Sequence, residues 1–254
     1  MTGAQQTAAT AIDAPGTPET QWAGWDGLLR LPTAVLPRGP VLVVAAHPDD
    51  EVLGFGGAMA TLAAGGSDVH LVSVTEGEGS HPRSTLVSPA ELVVMREAEL
   101  ERALADLGLP GLRPRRLRVP DTRVHAHQDK VQAHITAALR ETGAVLCAAP
   151  WTGDLHSDHE AAGQAARAAC RAAGVPVWLY PVWMWHWARP GDRRVPWQDA
   201  ARIALPSPAS TRKQLAIQRF TSQIMPLGAE EGDAAVLPSE ELAHHVRPFE
   251  VVFR

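Results

Sequence analysis

The stretch VLVVAAHPDDE, residues 41–51, joins a continuous apolar run to a polar cluster. The apolar part, Val41 to Ala46, is too short for a helix and is typical of a strand buried on both faces of a parallel sheet. Ligands of open α/β sheets bind beyond the carboxyl ends of the strands. The histidine and the acids that follow Ala46 therefore stand where a site would form.

A second apolar run, residues 144–149, leads directly into another polar cluster, PWTGDLHSDHE at residues 150–160. If the two runs form neighbouring strands, the two clusters meet in one crevice. Strands alternating with helices predict an α/β fold, with a Rossmann-like, mostly parallel sheet and helices on both faces. The other strand-like runs lie at residues 69–74, 115–119 and 177–184, and the helical patterns at residues 54–64, 90–107, 129–141, 159–173 and 210–224.

The length of 254 residues fits one large domain, and we predict a single domain over residues 23–254 with an elaborated C-terminal part. Residues 1–22 are rich in Ala, Thr, Gln and Pro and contain no apolar run, which predicts a flexible N-terminal arm and no secretory signal. No stretch approaches about 18 consecutive apolar residues, so we expect no membrane span and a cytoplasmic protein.

Composition narrows the class of protein further. Hydrophobic residues make up 45% of the chain and charged residues 20%, as in soluble globular proteins. The net charge is −5 and no Lys/Arg run is present, which argues against nucleic-acid binding. Cys147 and Cys170 are too few for a disulfide framework or a cysteine zinc site. We therefore expect a small-molecule partner, and the sequence leaves a homo-oligomer open.

Three histidines accompany the acids of the two clusters. Acids at the start of a helix interact favourably with the helix dipole and stabilise the helix by about 0.3–1 kcal/mol each. This interaction accounts for the acids but not for His47, His156 and His159. Their combination with carboxylates favours a metal site or an acid–base site. Two imidazoles and one carboxylate leave a fourth position for water, as in catalytic zinc sites, and the same set also binds non-haem Fe(II).

The two clusters also carry a family resemblance. AHPDDE at residues 46–51, followed by GFGG at 54–57, resembles the signature of the LmbE/PIG-L family of zinc-dependent N-acetylglucosaminyl deacetylases. HSDH at 156–159, followed by AAG at 161–163, is similar to the second motif of that family, although proline is commoner where Ser157 stands. Weaker similarity extends the resemblance to about residues 38–225, through residues 96–99, 119–121 and 213–223.

The resemblance implies a metal-dependent hydrolase that removes the acetyl group from an N-acetylglucosamine-containing substrate, an amino-sugar conjugate. It implies that His47, Asp50 and His159 bind the metal, Zn²⁺ by default with Fe²⁺ as the rival. Asp49 would be the general base that takes a proton from the attacking water, whose pKa the metal lowers.

The resemblance implies further roles around this centre. His156 would stabilise the oxyanion or protonate the leaving amine, and Asp158 would be the carboxylate partner that raises the pKa of His156. Arg96 and Asp121 match family positions that contact the sugar or its aglycone.

The run YPVWMWHW, residues 180–187, is rich in tryptophan. At the two-residue period of a strand, Trp183, Trp185 and Trp187 share one face. Either burial in the core explains them, or an indole, for which we take Trp185, lines the cavity and stacks on the substrate. The long loop at residues 75–89 is a candidate lid that would help to select the substrate.

Two other functions are compatible with these residues. A non-catalytic, metal-bearing sugar-binding module is the first, and the intact set of histidines and acids argues against it. A nucleotide-using α/β enzyme is the second, but GFGG lacks the G-x-G-x-x-G spacing, so close packing of helix on sheet explains these glycines better. The remaining histidines that follow no buried strand are predicted on the surface: His125, His127, His244 and His245.

Overall fold

One seven-stranded sheet organises the part of the chain that the structure describes. The computed structural model describes residue 12 and residues 14–254. The strands follow the order β3-β2-β1-β4-β5-β7-β6 across the sheet. Their bounds are β1 Val41–Ala45, β2 Val69–Ser73, β3 Arg115–Arg116, β4 Leu146–Pro150, β5 Val177–Tyr180, β6 Ala200–Ala204 and β7 Phe249–Phe253.

The first five strands run parallel, as the sequence predicts. β1 lies between β2 and β4, with Val41 opposite Leu146 and Val43 opposite Ala148. The prediction that residues 41–46 and 144–149 form neighbouring strands is therefore confirmed. Both polar clusters follow the carboxyl ends of these parallel strands, so they lie on the same side of the sheet and meet.

Helices cover both faces of the sheet. Their bounds are α1 Glu19–Ala23, α2 Asp50–Ala64, α3 Pro89–Asp106, α4 Gln128–Thr142, α5 Ser157–Ala173, α6 Met184–Trp187, α7 Ser207–Ile217, α8 Thr221–Ile224 and α9 Ser239–Leu242. Short 3-10 turns lie at Val124–His127, Trp197–Asp199, Glu231–Asp233 and Ala243–His245. Among the described residues, no helix combines the length and apolarity needed to cross a bilayer.

The side chains of β1 show how the two faces are filled. Val41, Val43 and Ala45 pack with α2, α3 and α7 on one face. Leu42 and Val44 pack with α4 and α5 on the other. A strand with apolar side chains on both faces is stable only in the middle of such a sandwich, so the continuous apolar run is explained by its position.

The C-terminal part departs from simple βαβ repetition. β7 pairs antiparallel with both β5 and β6 at one edge of the sheet, and the sequence pattern predicts neither β6 nor β7. The single helix predicted at residues 210–224 is two helices, α7 and α8, separated by a turn. Arg115–Arg116 is also a shorter strand than predicted. Leu117 and Val119 still donate to the Ser73 and Val74 carbonyls, but Arg118, with a φ of 49°, interrupts the regular strand.

The glycines of α2 are explained by close packing. A Cβ atom on Gly54 would collide with the ring of Tyr180, and one on Gly57 would collide with the side chain of Leu205. Only glycine lets α2 approach β5 and the end of β6 this closely. The packing interpretation of the GFGG stretch therefore fits the structure.

The start of the chain packs more firmly than an arm would. Residues 1–11 and 13 of the predicted arm lie outside the described residues. Within residues 14–22, however, Thr17 donates a hydrogen bond to the Ala188 carbonyl, and Trp22 is fully buried beside Trp185. Residues 14–22 therefore pack against the rest of the fold in the structure, because Trp22 anchors a segment that has no apolar run.

Candidate metal centre and active site

Three elements, β1, α2 and α5, bring the predicted site residues together. His47 follows β1 by two residues, and Asp50 begins α2. His159 lies in the first turn of α5, and His156 precedes that helix directly. Asp50 and His159 are almost inaccessible to solvent, and His47 is 9% exposed.

Two imidazole nitrogens and the carboxylate of Asp50 converge on a common point. His47 Nδ1 lies 3.3 Å from Asp50 Oδ2 and 3.3 Å from His159 Nε2. His159 Nε2 lies 3.2 Å from Asp50 Oδ1. Ligand atoms of a tetrahedral zinc ion, bound at 2.0–2.1 Å, stand about 3.3 Å from one another. The spacing of the two nitrogens and the carboxylate oxygens therefore fits a divalent cation with nitrogen and carboxylate ligands.

Carboxylates on the outer side of both imidazoles set which nitrogen is free. Nε2 of His47 donates to Asp121 Oδ1 at 3.1 Å, and Nδ1 of His159 donates to Asp154 Oδ2 at 2.7 Å. The lone pairs of His47 Nδ1 and His159 Nε2 are then available to an ion. Such carboxylate partners fix the ring orientation and the tautomer of metal-binding histidines.

His156 faces the same space with a different tautomer. Its Nδ1 accepts a hydrogen bond from the backbone N–H of Asp158 at 3.3 Å. In the neutral ring the proton therefore stays on Nε2, which is a donor rather than a metal ligand. His156 also clusters with His47 and His159 at metal-binding distances, but this tautomer favours Asp50 over His156 as the third ligand.

Asp158 does not lie beside the His156 ring, where the family resemblance implies it. Its carboxylate accepts hydrogen bonds from the backbone N–H groups of Thr122 at 2.7 Å and Val124 at 3.1 Å, and it lies 3.4 Å from His47 Nε2. Within residues 14–254, no hydrogen bond joins this carboxylate to the His156 ring. The expected pairing is corrected: Asp158 supports His47 and the loop around Thr122, because the backbone N–H groups of that loop bind its carboxylate.

The electrostatic field of the cluster favours positive charge. Burial opposes protonation of His47, but the charge of Asp121 and hydrogen bonds to Asp121, Asp158 and Asp50 outweigh it and hold the pKa of His47 well above its usual range. Burial is likewise outweighed at His159, where Asp50 and Asp154 raise the pKa to about 9. A divalent cation would be stabilised by the same carboxylates.

His156 responds in the opposite direction. Burial, and then the positive charges of His159 and His47, hold the pKa of His156 well below its usual range. The expected rise of the pKa of His156 beside a carboxylate is therefore corrected: burial and the two neighbouring imidazoles lower it.

Asp49 stands beside the converging atoms in a strained backbone conformation. Its φ of 136° lies in a region that favours glycine, and such strain concentrates at functional sites. Arg96 Nη2 donates to Asp49 Oδ2 at 2.8 Å and to the Pro48 carbonyl at 2.5 Å, which holds the residue in place. Burial, partly offset by Arg96 and reinforced by Asp50, raises the pKa of Asp49 to about 7.

A cavity of about 210 Å³ opens onto the cluster. His47, Asp49, Asp50 and His156 line its polar side. Its lining also includes five apolar side chains: Leu53, Val182, Trp183, Val236 and Leu237.

The structure alters the expected substrate contacts. Arg96 and Asp121 line the cavity, but their polar atoms also bind Asp49 and His47. Trp185 is 4% exposed and packs edge-on against Trp22, away from the cavity. Its expected substrate contact is wrong, because residues 184–187 form a helical turn instead of a strand, and Trp183 is the indole at the cavity.

Sequence reasoning missed the partner of His159. Asp154 is fully buried, and its carboxylate also accepts the backbone N–H groups of Val182, Trp183 and Met184. An acid five residues before a candidate metal ligand was the available signal, but the three amides lie too far along the chain to be anticipated.

Two of the histidines predicted on the surface are buried instead. His244 is 3% exposed and His245 is 5% exposed. Nδ1 of His244 pairs with Glu19 at 2.7 Å, and that of His245 lies 3.2 Å from the Leu53 carbonyl. The prediction failed because the C-terminal segment folds back onto α1 and α2.

Comparisons with known proteins identify the relatives of the chain. The chain is 34% identical over 188 residues to 1D-myo-inositol 2-acetamido-2-deoxy-alpha-D-glucopyranoside deacetylase of Rhodococcus opacus (strain B4), an overlap covering 64% of this chain and 59% of the relative. It is 32% identical over 139 residues to diacetylchitobiose deacetylase of Thermococcus kodakarensis, covering 54% of this chain and 51% of that protein. The chain thus spans between half and three fifths of the length of these curated relatives.

A solved structure and a family model complete the comparison. The structure of the antimicrobial reagent A40926 pseudoaglycone deacetylase Dbv21 superposes with a TM-score of 0.64 at 23% identity, covering 85% of this chain and 97% of that one, and shows the shared fold. Residues 42–170 match the family model PIG-L, described as GlcNAc-PI de-N-acetylase. Because the matched stretch is half of the chain and contains both polar clusters with the strands that carry them, the chain belongs to the PIG-L (LmbE-like) family.

Proposed function

We propose that the chain is a metal-dependent N-deacetylase that hydrolyses the acetamide of an N-acetylglucosamine conjugate. One observation carries the proposal: His47 Nδ1, Asp50 and His159 Nε2 stand at the mutual spacing of zinc ligands, and the buried carboxylate of Asp49 lies beside them at a cavity. The family of the chain and the names of its relatives support the same reaction.

In this proposal His47, Asp50 and His159 hold the metal, and Asp121 and Asp154 orient the two imidazoles. A divalent cation bound there would polarise the amide carbonyl and lower the pKa of the attacking water, chemistry that Zn²⁺ supplies well and that Fe²⁺ can also supply. The donor set is compatible with either ion.

Asp49 acts as the general base. A catalytic base works best when its pKa lies near the operating pH, and burial brings the pKa of Asp49 to about 7. Arg96 holds the carboxylate through Oδ2 and leaves Oδ1 to accept the proton of water. The proton is then available to the amine that leaves.

His156 stabilises the negative charge that develops on the carbonyl oxygen. Its Nδ1 is engaged by the Asp158 amide, so the neutral ring presents Nε2–H as a donor at the cavity. This role needs no imidazolium, which agrees with the lowered pKa of His156.

We predict that His156→Ala lowers kcat by about 10²- to 10³-fold, the usual effect of losing one oxyanion donor, with metal content unchanged. Metal analysis of the purified variant and steady-state kinetics check both parts. Loss of the metal would instead make His156 a ligand and would contradict the assignment of Asp50.

The substrate class follows from the relatives and the cavity. The two relatives are named as deacetylases of a 2-acetamido-2-deoxy-glucopyranoside of inositol and of diacetylchitobiose. The cavity lining combines hydrogen-bonding side chains with Trp183 and other apolar residues, a combination suited to a sugar ring. We therefore assign a neutral N-acetylglucosaminide as the substrate class.

The proposal is tested by incubating the metal-loaded protein with N-acetylglucosaminides that differ at the anomeric carbon: inositol, chitobiose, lipid-linked, thiol-conjugate and glycopeptide forms. Acetate and free amine are quantified together, with N-acetyl amino acids as control amides. We expect equimolar acetate and amino sugar from at least one glucosaminide. Sugar binding without any acetate would favour a non-catalytic binding module and would contradict the proposal.

A further inference from the structure

We infer that the N-terminal segment, residues 14–25, is a positioning element of the candidate metal centre. It holds the turn at residues 182–188, and that turn fixes Asp154, the partner of His159. The inference rests on the proposed function, because it takes His159 as a metal ligand. Both the N-terminal segment and the turn lie outside residues 42–170, the stretch that matches the family model.

The N-terminal segment binds the carbonyl end of the turn. The backbone N–H of Thr17 donates to the His186 carbonyl at 2.8 Å, and its hydroxyl donates to the Ala188 carbonyl at 2.6 Å. Trp22 Nε1 donates to the Trp185 carbonyl at 2.9 Å. The last carbonyls of a helix have no partner within the helix, so α6, with only four residues, depends on these donors.

Side chains reinforce the same contact. Trp22 is fully buried and packs edge-on against Trp185, with the ring centroids 5.1 Å apart. His186 Nε2 donates to the Ala14 carbonyl at 2.8 Å. Glu19 pairs with Arg247, whose guanidinium lies 4.1 Å above the Trp185 ring. The turn is thus held from outside by the N-terminal segment at several points.

The N-terminal end of the turn binds Asp154, the partner of His159. The N–H groups of Val182, Trp183 and Met184 all donate to the Asp154 carboxylate, at 2.8 to 3.2 Å. The indole N–H of Trp187 donates to the Asp154 carbonyl at 3.2 Å. Asp154 in turn accepts Nδ1–H of His159 at 2.7 Å. A shift of the turn would therefore rotate Asp154 and, through it, the His159 ring.

The rigidity of this connection is what makes it a positioning device. Met184 and Ala188 are completely buried, and Asp154 and His159 are too. Close-packed interiors transmit displacement because their side chains have little room to relax. The turn also places Trp183 on the cavity wall, so the N-terminal segment acts on the substrate side of the site as well.

The test compares Co²⁺ binding by five proteins: the wild type, Thr17→Val, Thr17→Ser, Asp154→Asn and Thr136→Val. Thr17→Val removes one buried donor at nearly constant volume, and Thr17→Ser restores the hydroxyl. Thr136→Val is the matched control, since its hydroxyl also donates to a carbonyl, that of Gln132, but within α4. The visible spectrum of Co²⁺ reports ligand geometry, and chelator competition gives the affinity.

Loss of a residue that hydrogen-bonds a metal ligand typically weakens metal binding 10- to 100-fold, and we expect a loss of Co²⁺ affinity of about this size for Asp154→Asn. For Thr17→Val we expect a loss of about 3- to 10-fold, because Thr17 acts on Asp154 only through the turn at residues 182–188. The spectrum should change in both variants. Thr17→Ser and Thr136→Val should bind Co²⁺ like the wild type. Thr17→Val should also raise KM, because Trp183 moves with the turn.

Two outcomes would overturn the inference and are distinguishable. A lower Tm of Thr17→Val with a wild-type Co²⁺ spectrum and affinity would show that the N-terminal segment stabilises the fold alone. A wild type that binds no Co²⁺ would remove the proposed metal centre, and the inference with it.

Discussion

Asp49→Asn is expected to lower kcat for deacetylation by about 10²- to 10⁴-fold, the usual contribution of a general base, while the protein keeps its metal. The amide is nearly isosteric with the carboxylate and can still accept the hydrogen bond of Arg96. It cannot take a proton from water. Initial rates of acetate release and the metal content of the same preparation measure the two parts.

The control for this substitution is Asp129→Asn, which removes an exposed carboxylate in the first turn of α4 and should leave kcat unchanged. If Asp49→Asn retained more than a tenth of wild-type kcat with a full complement of metal, Asp49 would not be the base. A loss of metal from Asp49→Asn would place this carboxylate among the ligands instead.

The neighbouring substitution, Asp50→Asn, should abolish both metal binding and turnover. Asp50 Oδ1 and Oδ2 lie 3.2 and 3.3 Å from the two ligand nitrogens, so the amide would remove the only charged ligand of the proposed three. Because loss of an outer partner alone costs 10- to 100-fold in metal affinity, we expect loss of this ligand to cost more than about 100-fold. Isothermal titration of the metal-free protein with Zn²⁺ measures the effect.

The two substitutions form a matched pair on adjacent residues of one helix start. Both exchange a buried carboxylate for an amide, so differences between them report chemistry rather than packing. In Asp50→Asn the new side-chain oxygen can still accept the His47 backbone N–H, the bond that Asp50 Oδ2 accepts at 2.8 Å, and the fold should persist. Unchanged Zn²⁺ affinity in folded Asp50→Asn would contradict the proposed ligand set and would favour the cluster of His47, His156 and His159.

The sequence was sufficient to predict the centre of the fold. The run from Val41 to Ala46 predicts a strand buried on both faces because it lies in the middle of the sheet, and its neighbour β4 shows the same pattern. The antiparallel strands β6 and β7 were not predicted. Arg202 and Glu250 interrupt their apolar pattern, and Glu250 is buried only because Lys213 and the backbone N–H groups of Gly57 and Ala58 bind it.

The three proposed metal ligands, His47, Asp50 and His159, could also be predicted from the sequence, because they follow the carboxyl ends of two neighbouring parallel strands. The partners of these residues were not. Asp121 reaches His47 from the loop after β3, and Asp154 is fixed by amides of the turn at residues 182–188. Such partners depend on how distant loops fold back over the sheet, which no local pattern records.

Tryptophan shows a second limit of local patterns. The two-residue period placed Trp185 at the cavity, but Pro181 ends β5 and the chain turns into α6. That change of period brings Trp183 to the cavity and directs Trp185 against Trp22. No local pattern predicts that Trp185 packs against the segment at residues 14–25, because the two lie far apart in the chain.

Metal reconstitution measures the central claim most directly. The protein is stripped with chelator, titrated with Zn²⁺ or, without oxygen, with Fe²⁺, and assayed at each step for acetate release from an N-acetylglucosaminide. We predict no release from the metal-free protein and a rise that reaches its maximum at about one ion per chain, as expected for one centre with three protein ligands. Full activity of the metal-free protein, or no acetate at any ratio of metal to folded protein, would contradict the account.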